Sequence, residues 1–159
     1  MASAGSASGL RWAVLVTVWS LIFAAPHFFW ALGGRAGLGA QAAAADAALQ
    51  QSSFAVYNLA AGCLAILGVA VAMTLAKGWG GRRLRRWLLI AATAAAVALL
   101  LRGVLGVGLL AVSVLRGTFD DEIPAILLAI EPWFLLGGFA YGGMVVHQRN
   151  RTPSDILSH

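Results

Sequence analysis

The chain has 159 residues, 60% of them hydrophobic and 11% charged, with a mean hydropathy of +0.84. A soluble domain carries about 25% charged residues, so this composition belongs to a membrane protein, and the length allows one domain. The formal charge of +5 does not indicate nucleic acid, because the basic residues flank apolar runs, the pattern of membrane orientation and of attraction to anionic lipid.

Residues 1–10 are small and polar without apolar periodicity and read as a disordered tail. A single membrane domain is expected over 11–147, followed by a polar tail over 148–159. The first span is predicted over 12–32, matching at about 1.5 Å per residue a hydrocarbon core of about 30 Å. Arg11 before this run also fits a signal peptide cleaved near Gly39–Ala40. The length of the run, and Pro26, His27, Phe28, Phe29 and Trp30 within it, favour a retained span. The segment 33–51 is rich in Gly and Ala, and its Ala-rich half has the composition of a short surface helix.

The second span is predicted over 52–76. A basic turn follows from Lys77 to Arg86, holding Lys77, Arg82, Arg83, Arg85 and Arg86. The third span, 87–115, is long enough that it must tilt or protrude. Residues 116–122 form an acidic turn, read as solvated, and Pro124 suits the first turn of a fourth span over 124–146. The fold class is therefore all-α, a four-helix transmembrane bundle.

Both termini are predicted to be cytoplasmic. That topology puts Arg11, the five basic residues of the turn, Arg149 and Arg151 inside, leaving Arg35 and Arg116 outside and Arg102 within the membrane. Trp12, Trp79 and Trp87 then mark the inner interface and Trp30 the outer one. The abundance of Ala, Gly, Leu and Arg with little Lys suggests a GC-rich bacterial genome, hence a bacterial inner membrane. Small residues recur at helical spacing: Gly138 with Gly142, Gly103 with Gly106, and Ala91, Ala95 and Ala98. These let helix backbones approach closely, and the tight-bundle reading outweighs dimerisation through Gly138 and Gly142.

Arg102 is the anomaly of the third span, since a guanidinium at bilayer depth must be paired, hydrated or snorkelling. Counting depth supplies its company. Arg102 lies sixteen residues from Arg86 and His27 sixteen from Arg11, each about 24 Å from the inner end. Glu131 and Asn58 fall about 10 Å and 9 Å from the outer end. One polar side chain from each span is expected at one level, with Glu131 the counter-charge and Arg102 packed inward beside Ala95, Ala98, Leu99 and Gly106. Pro26 and Pro132 interrupt the first and fourth spans near this level and free the carbonyls of Ile22 and Leu128, further acceptors for Arg102.

The residues His27, Asn58, Arg102 and Glu131 form either a structural layer fixing bundle register or a site holding a small polar molecule or lipid headgroup, with Trp30 and Trp133 as walls. A satisfied histidine and a helix-bridging asparagine are the simpler readings of His27 and Asn58. One His, one Glu and no nearby Cys make a poor metal set, so no metal and no cofactor are expected. Cys63, the single cysteine, excludes an intramolecular disulfide and a CxxC motif. Two alternatives remain open: an accessory subunit of a larger membrane complex, or a homodimer, and an intramembrane enzyme or proton-coupled transporter using His27 and Glu131. No nucleophile motif supports catalysis.

The stretch His27-Phe28-Phe29-Trp30-Ala31-Leu32-Gly33-Gly34 resembles a family of small four-span bacterial membrane proteins of unknown function, whose first helix ends in a His-x-x-Trp-Ala-Leu-Gly-Gly-like motif. The basic turn, the Leu101-Arg102-Gly103 step and the Pro132-containing span are similar too. The resemblance extends from about Trp12 to Val146 and implies a four-helix membrane domain with His27, Trp30 and Arg102 as family features. It implies no reaction.

Overall fold

A computed structural model of the chain describes residues 4–38, 42–117 and 125–150. Among these it is all helical: α1 (Ala4–Ala31), α2 (Ala42–Gln50), α3 (Ser52–Lys77), α4 (Arg82–Leu115) and α5 (Ala125–Arg149). Four of them, all but α2, are long and apolar enough to cross a membrane. The short α2 is the expected surface helix. The acidic turn and Pro124 lie outside the described residues.

Helix ends depart from the expected bounds where the residues tolerate helix and a break signal is missing. α1 starts at Ala4 instead of near Trp12, because the Ala/Ser/Gly segment ahead of the apolar run holds no proline and extends an existing helix cheaply. The basic turn shrinks to Gly78–Gly81. Gly78 closes α3 in the left-handed conformation at φ 67°, which glycine adopts without a Cβ penalty. Arg82 to Arg86, good helix formers, become the first turns of α4. α5 continues through Arg149. Pro26 and Pro132 both sit inside helices that continue past them.

α1 packs chiefly on α3 and α4 on α5, and a contact between α1 and α5 joins the two pairs. The contact surfaces pair large rings with glycines. A Cβ at Gly137 or Gly143 of α5 would overlap the rings of Trp19 and Trp12, one at Gly62 of α3 would press on Phe28, and one at Gly68 would strike the Tyr141 hydroxyl. On α4 and α5 the backbones themselves approach: a Cβ at Gly103 would lie 2.8 Å from the Leu135 nitrogen, and one at Gly138 would lie 3.0 Å from that of Leu100. Gly138 is thus consumed by packing within the chain. Ala92 and Ala96 are the buried alanines of α4, whereas Ala91 and Ala98 are exposed, so the packing face is rotated from the expected stripe.

The apolar core lies towards the basic end of the bundle. Ala13, Val16 and Trp19 of α1 meet Ala72 and Leu75 of α3, Ala92 and Ala96 of α4, and Ala140, Tyr141, Met144 and Val145 of α5. Gln148, 1% exposed, explains why α5 outlasts its apolar run. Its Nε2 donates to the Leu75 carbonyl at 3.1 Å while its main-chain carbonyl accepts from Arg85, tying α3, α4 and α5 together. Higher in the membrane, Ser20 and Tyr141 share a hydrogen bond of 3.1 Å, and the Trp19 indole donates to the Trp133 carbonyl at 2.8 Å. The absent Cβ of Gly137, one helical turn from Trp133, lets the indole reach that carbonyl.

Gly137→Ala should therefore expel the Trp19 ring and break this bond. A loss of about 1–3 kcal/mol is expected for overpacking of this kind, read as a lowered midpoint of unfolding in detergent micelles. Gly142→Ala is the control, since nothing lies within 4 Å of a Cβ there, and it should leave the midpoint unchanged.

Candidate functional site

Of the four expected polar residues, two meet. Arg102 on α4 and Glu131 on α5 form a bidentate ion pair: Nη2 donates to Oε1 at 2.8 Å and Nη1 donates to Oε2. Planar fork-on-carboxylate geometry is the strongest form of charge-assisted hydrogen bond. The guanidinium carbon also lies 4.9 Å from the centroid of the Phe134 ring, within cation–π range.

The pair is unevenly buried. The side chain of Glu131 is 8% exposed and that of Arg102 is 48% exposed, so Arg102 is not packed inward as its neighbouring small residues suggest. Depth in the bundle is instead taken up by the carboxylate. Gly106 lies one turn beyond Arg102, and a Cβ there would overlap Glu131 Oε2 and stand 2.6 Å from Arg102 Nη1. The missing side chain of Gly106 is the recess into which the acid inserts. Arg102 uses the carboxylate, and neither the Ile22 nor the Leu128 carbonyl, as its acceptor.

His27 and Asn58 do not join this pair. Asn58, 2% exposed, donates Nδ2 to the Phe54 carbonyl at 2.8 Å, and His27 Nδ1 lies 2.8 Å from the Phe23 carbonyl. Each bonds a carbonyl of its own helix, four residues back. Between the two halves of the expected layer stand rings: Phe23 is 4.2 Å from His27 and 5.7 Å from Phe134, centroid to centroid. Trp30 does flank His27, at 5.6 Å, and it donates to the Ala36 carbonyl at 2.7 Å. Trp133 turns away to stack on Trp19 at 6.1 Å, so Phe134 supplies the ring beside Arg102.

Phe134, Gly106 as a recess, and the buried Ser20, Tyr141 and Gln148 were not singled out by the sequence. Ser20 carried a usable signal, being a polar residue at a position a helix must bury. Phe134 carried none, because Trp133 beside it is equally aromatic. Among the described residues no group of three His, Cys, Asp or Glu side chains could hold a metal ion.

A model of a protein family of unknown function, DUF3995, matches residues 20–141. The chain belongs to this family. No curated protein matches the chain, and no solved structure does. The DUF3995 match takes in His27, Trp30, Asn58, Arg102, Glu131 and Trp133, but neither Arg11 nor Arg149.

The unequal burial of the pair gives an ordered prediction. Arg102→Met leaves a buried carboxylate without a counter-charge and should cost about 3–5 kcal/mol. Glu131→Gln leaves a half-exposed guanidinium that keeps a hydrogen-bonding partner and should cost about 1–3 kcal/mol. Combined, they should cost less than Arg102→Met alone, as measured by unfolding midpoints in micelles. Gly106→Ala should destabilise by about 1–3 kcal/mol, and adding Glu131→Asp, which withdraws the carboxylate by one methylene, should recover part of that loss.

Proposed function

We propose that this multi-pass membrane protein binds the phosphate-bearing headgroup of a lipid, or a small anion of the same chemistry, at Arg102. One observation carries the reading: a guanidinium doubly bonded to an almost buried Glu131 keeps 48% of its side chain exposed. Two of its nitrogens serve the carboxylate. The remaining donors of the five-donor fork are free to take a second anion, and Glu131 holds the fork in one orientation for it.

Depth supports a headgroup as the occupant. If the hydrocarbon begins at Trp87, about 20 residues carry it to the neighbourhood of Val107. Arg102 then lies about 8 Å below the far boundary, a distance that a long side chain spans by snorkelling. The positive-inside rule assigns the basic turn and both termini to the cytoplasm, and composition suggests a bacterial inner membrane, so the headgroup belongs to the outer leaflet.

The variant carrying both Arg102→Met and Glu131→Gln keeps the bundle neutral at this level and tests the reading directly. Native mass spectrometry of protein released gently from membranes should find wild-type chains carrying phospholipid that the double variant has lost. An identical lipid complement on both folded proteins would sink the proposal. A stoichiometric protein partner on the wild type, in place of lipid, would assign Arg102 to a subunit contact instead.

A further inference from the structure

We propose a second binding site, at His27, for a primary ammonium group. The His27 Nδ1 lies 2.8 Å from the Phe23 carbonyl. A carbonyl oxygen only accepts, so Nδ1 carries the proton and donates. In the neutral ring this fixes the tautomer and leaves Nε2, at the outer edge of the imidazole, as an acceptor with a free lone pair. Nε2 takes no hydrogen bond among the described residues. An open acceptor in a membrane span calls for a donor.

Aromatic surroundings say which donor. Phe23 lies against the imidazole at 4.2 Å and 30°, Trp30 meets it edge-on at 5.6 Å and 62°, and Tyr57 of α3 stands at 6.5 Å. Tyr57 is 66% exposed, so its ring is open to an approaching molecule. Ring faces attract a cation through their quadrupole. A group that satisfies both the lone pair and the rings is at once an N–H donor and a cation. A primary ammonium qualifies, whereas a quaternary ammonium has no proton to give.

Two arginines of this end are held by acids. Arg102 is paired with Glu131 and Arg35 with Asp46, so neither arginine presents an uncompensated charge to the site. The Phe23–Phe134 ring pair at 5.7 Å separates this site from Arg102, and the inference stands apart from the proposal made for that residue.

Three histidines in the chain make nitrogen-15 spectroscopy of the imidazoles a direct test. The wild-type protein is placed in nanodiscs of phosphatidylcholine or of phosphatidylethanolamine, both zwitterionic, and His27→Gln identifies the resonance. The Nε2 signal of His27 is expected to move upfield in the ethanolamine lipid, as an acceptor does on gaining a hydrogen bond, and to stay put in the choline lipid. Soluble ethanolamine titrated into choline-lipid nanodiscs distinguishes the sources: a matching shift makes a free amine the ligand, and a shift in the ethanolamine lipid alone makes it a headgroup. Tyr57→Leu, at an exposed position, should weaken the effect about two- to five-fold by removing one ring. An Nε2 signal that is the same in both lipids and indifferent to ethanolamine would overturn the proposal.

Discussion

An ionised carboxylate inside a membrane span needs a counter-charge, and Glu131 obtains one only because α4 and α5 can come unusually close. Gly103 and Gly138 remove the side chains that would hold the two backbones apart, and Gly106 removes the one that would occupy the carboxylate's place. Arg102 then closes over the acid with two parallel hydrogen bonds. The glycines come first in this causal order, because without the recess the pair could form only by bending one helix away. Steric permission from three glycines and charge pairing between two side chains therefore meet at one contact of α4 with α5.

The rest of the bundle solves the same problem in apolar form. Lipid tails are as apolar as leucine, so helices in a bilayer gain little from hiding hydrophobic surface and must cohere by close packing and hydrogen bonds. α1 supplies bulk and its neighbours supply glycine: Trp12 on Gly143, Trp19 on Gly137, Phe28 on Gly62. Trp19 combines both forces, stacking on Phe23 at 5.0 Å while its N–H reaches the Trp133 carbonyl. The many exposed leucines and valines of α3 and α4 are the lipid-facing counterpart and need no partner.

The sequence made the four spans legible because length and hydropathy report a bilayer directly. It made the Arg102–Glu131 pair legible because the rise of a helix is constant, so counting residues measures depth. Rotation is another matter. Each residue turns the helix by about 100°, and an error of one position moves a side chain to another face. That is why Ala92 and Ala96 are buried where Ala91 and Ala98 were expected, and why Phe134 stands beside Arg102 where Trp133 was expected. Equal depth also failed as a guide to contact for His27 and Asn58. A carbonyl four residues back is available to any polar side chain in a helix, and both residues used it. Gln148 follows the end of the apolar run and so carries no sign of burial, yet its side-chain amide bonds α3 and its main-chain carbonyl takes a bond from α4.

The two ends of the bundle divide the work. At the basic end the core cluster closes with Ala, Val, Leu and Met side chains, and Gln148 and Arg85 lock α3, α4 and α5. The other end has no comparable apolar core among the described residues; it holds the charged pair, the imidazole and most of the ring-to-ring contacts. Charged and hydrogen-bonding groups are costly at that depth, and a bundle built only for stability would place its best packing around them. Here Arg102 is left half open and His27 keeps an unused lone pair on its outer edge. A rigid basic end fixes the helix positions on which those two groups stand. The open end can then present an imidazole acceptor and the remaining guanidinium donors with little reorganisation, the arrangement a recognition site requires.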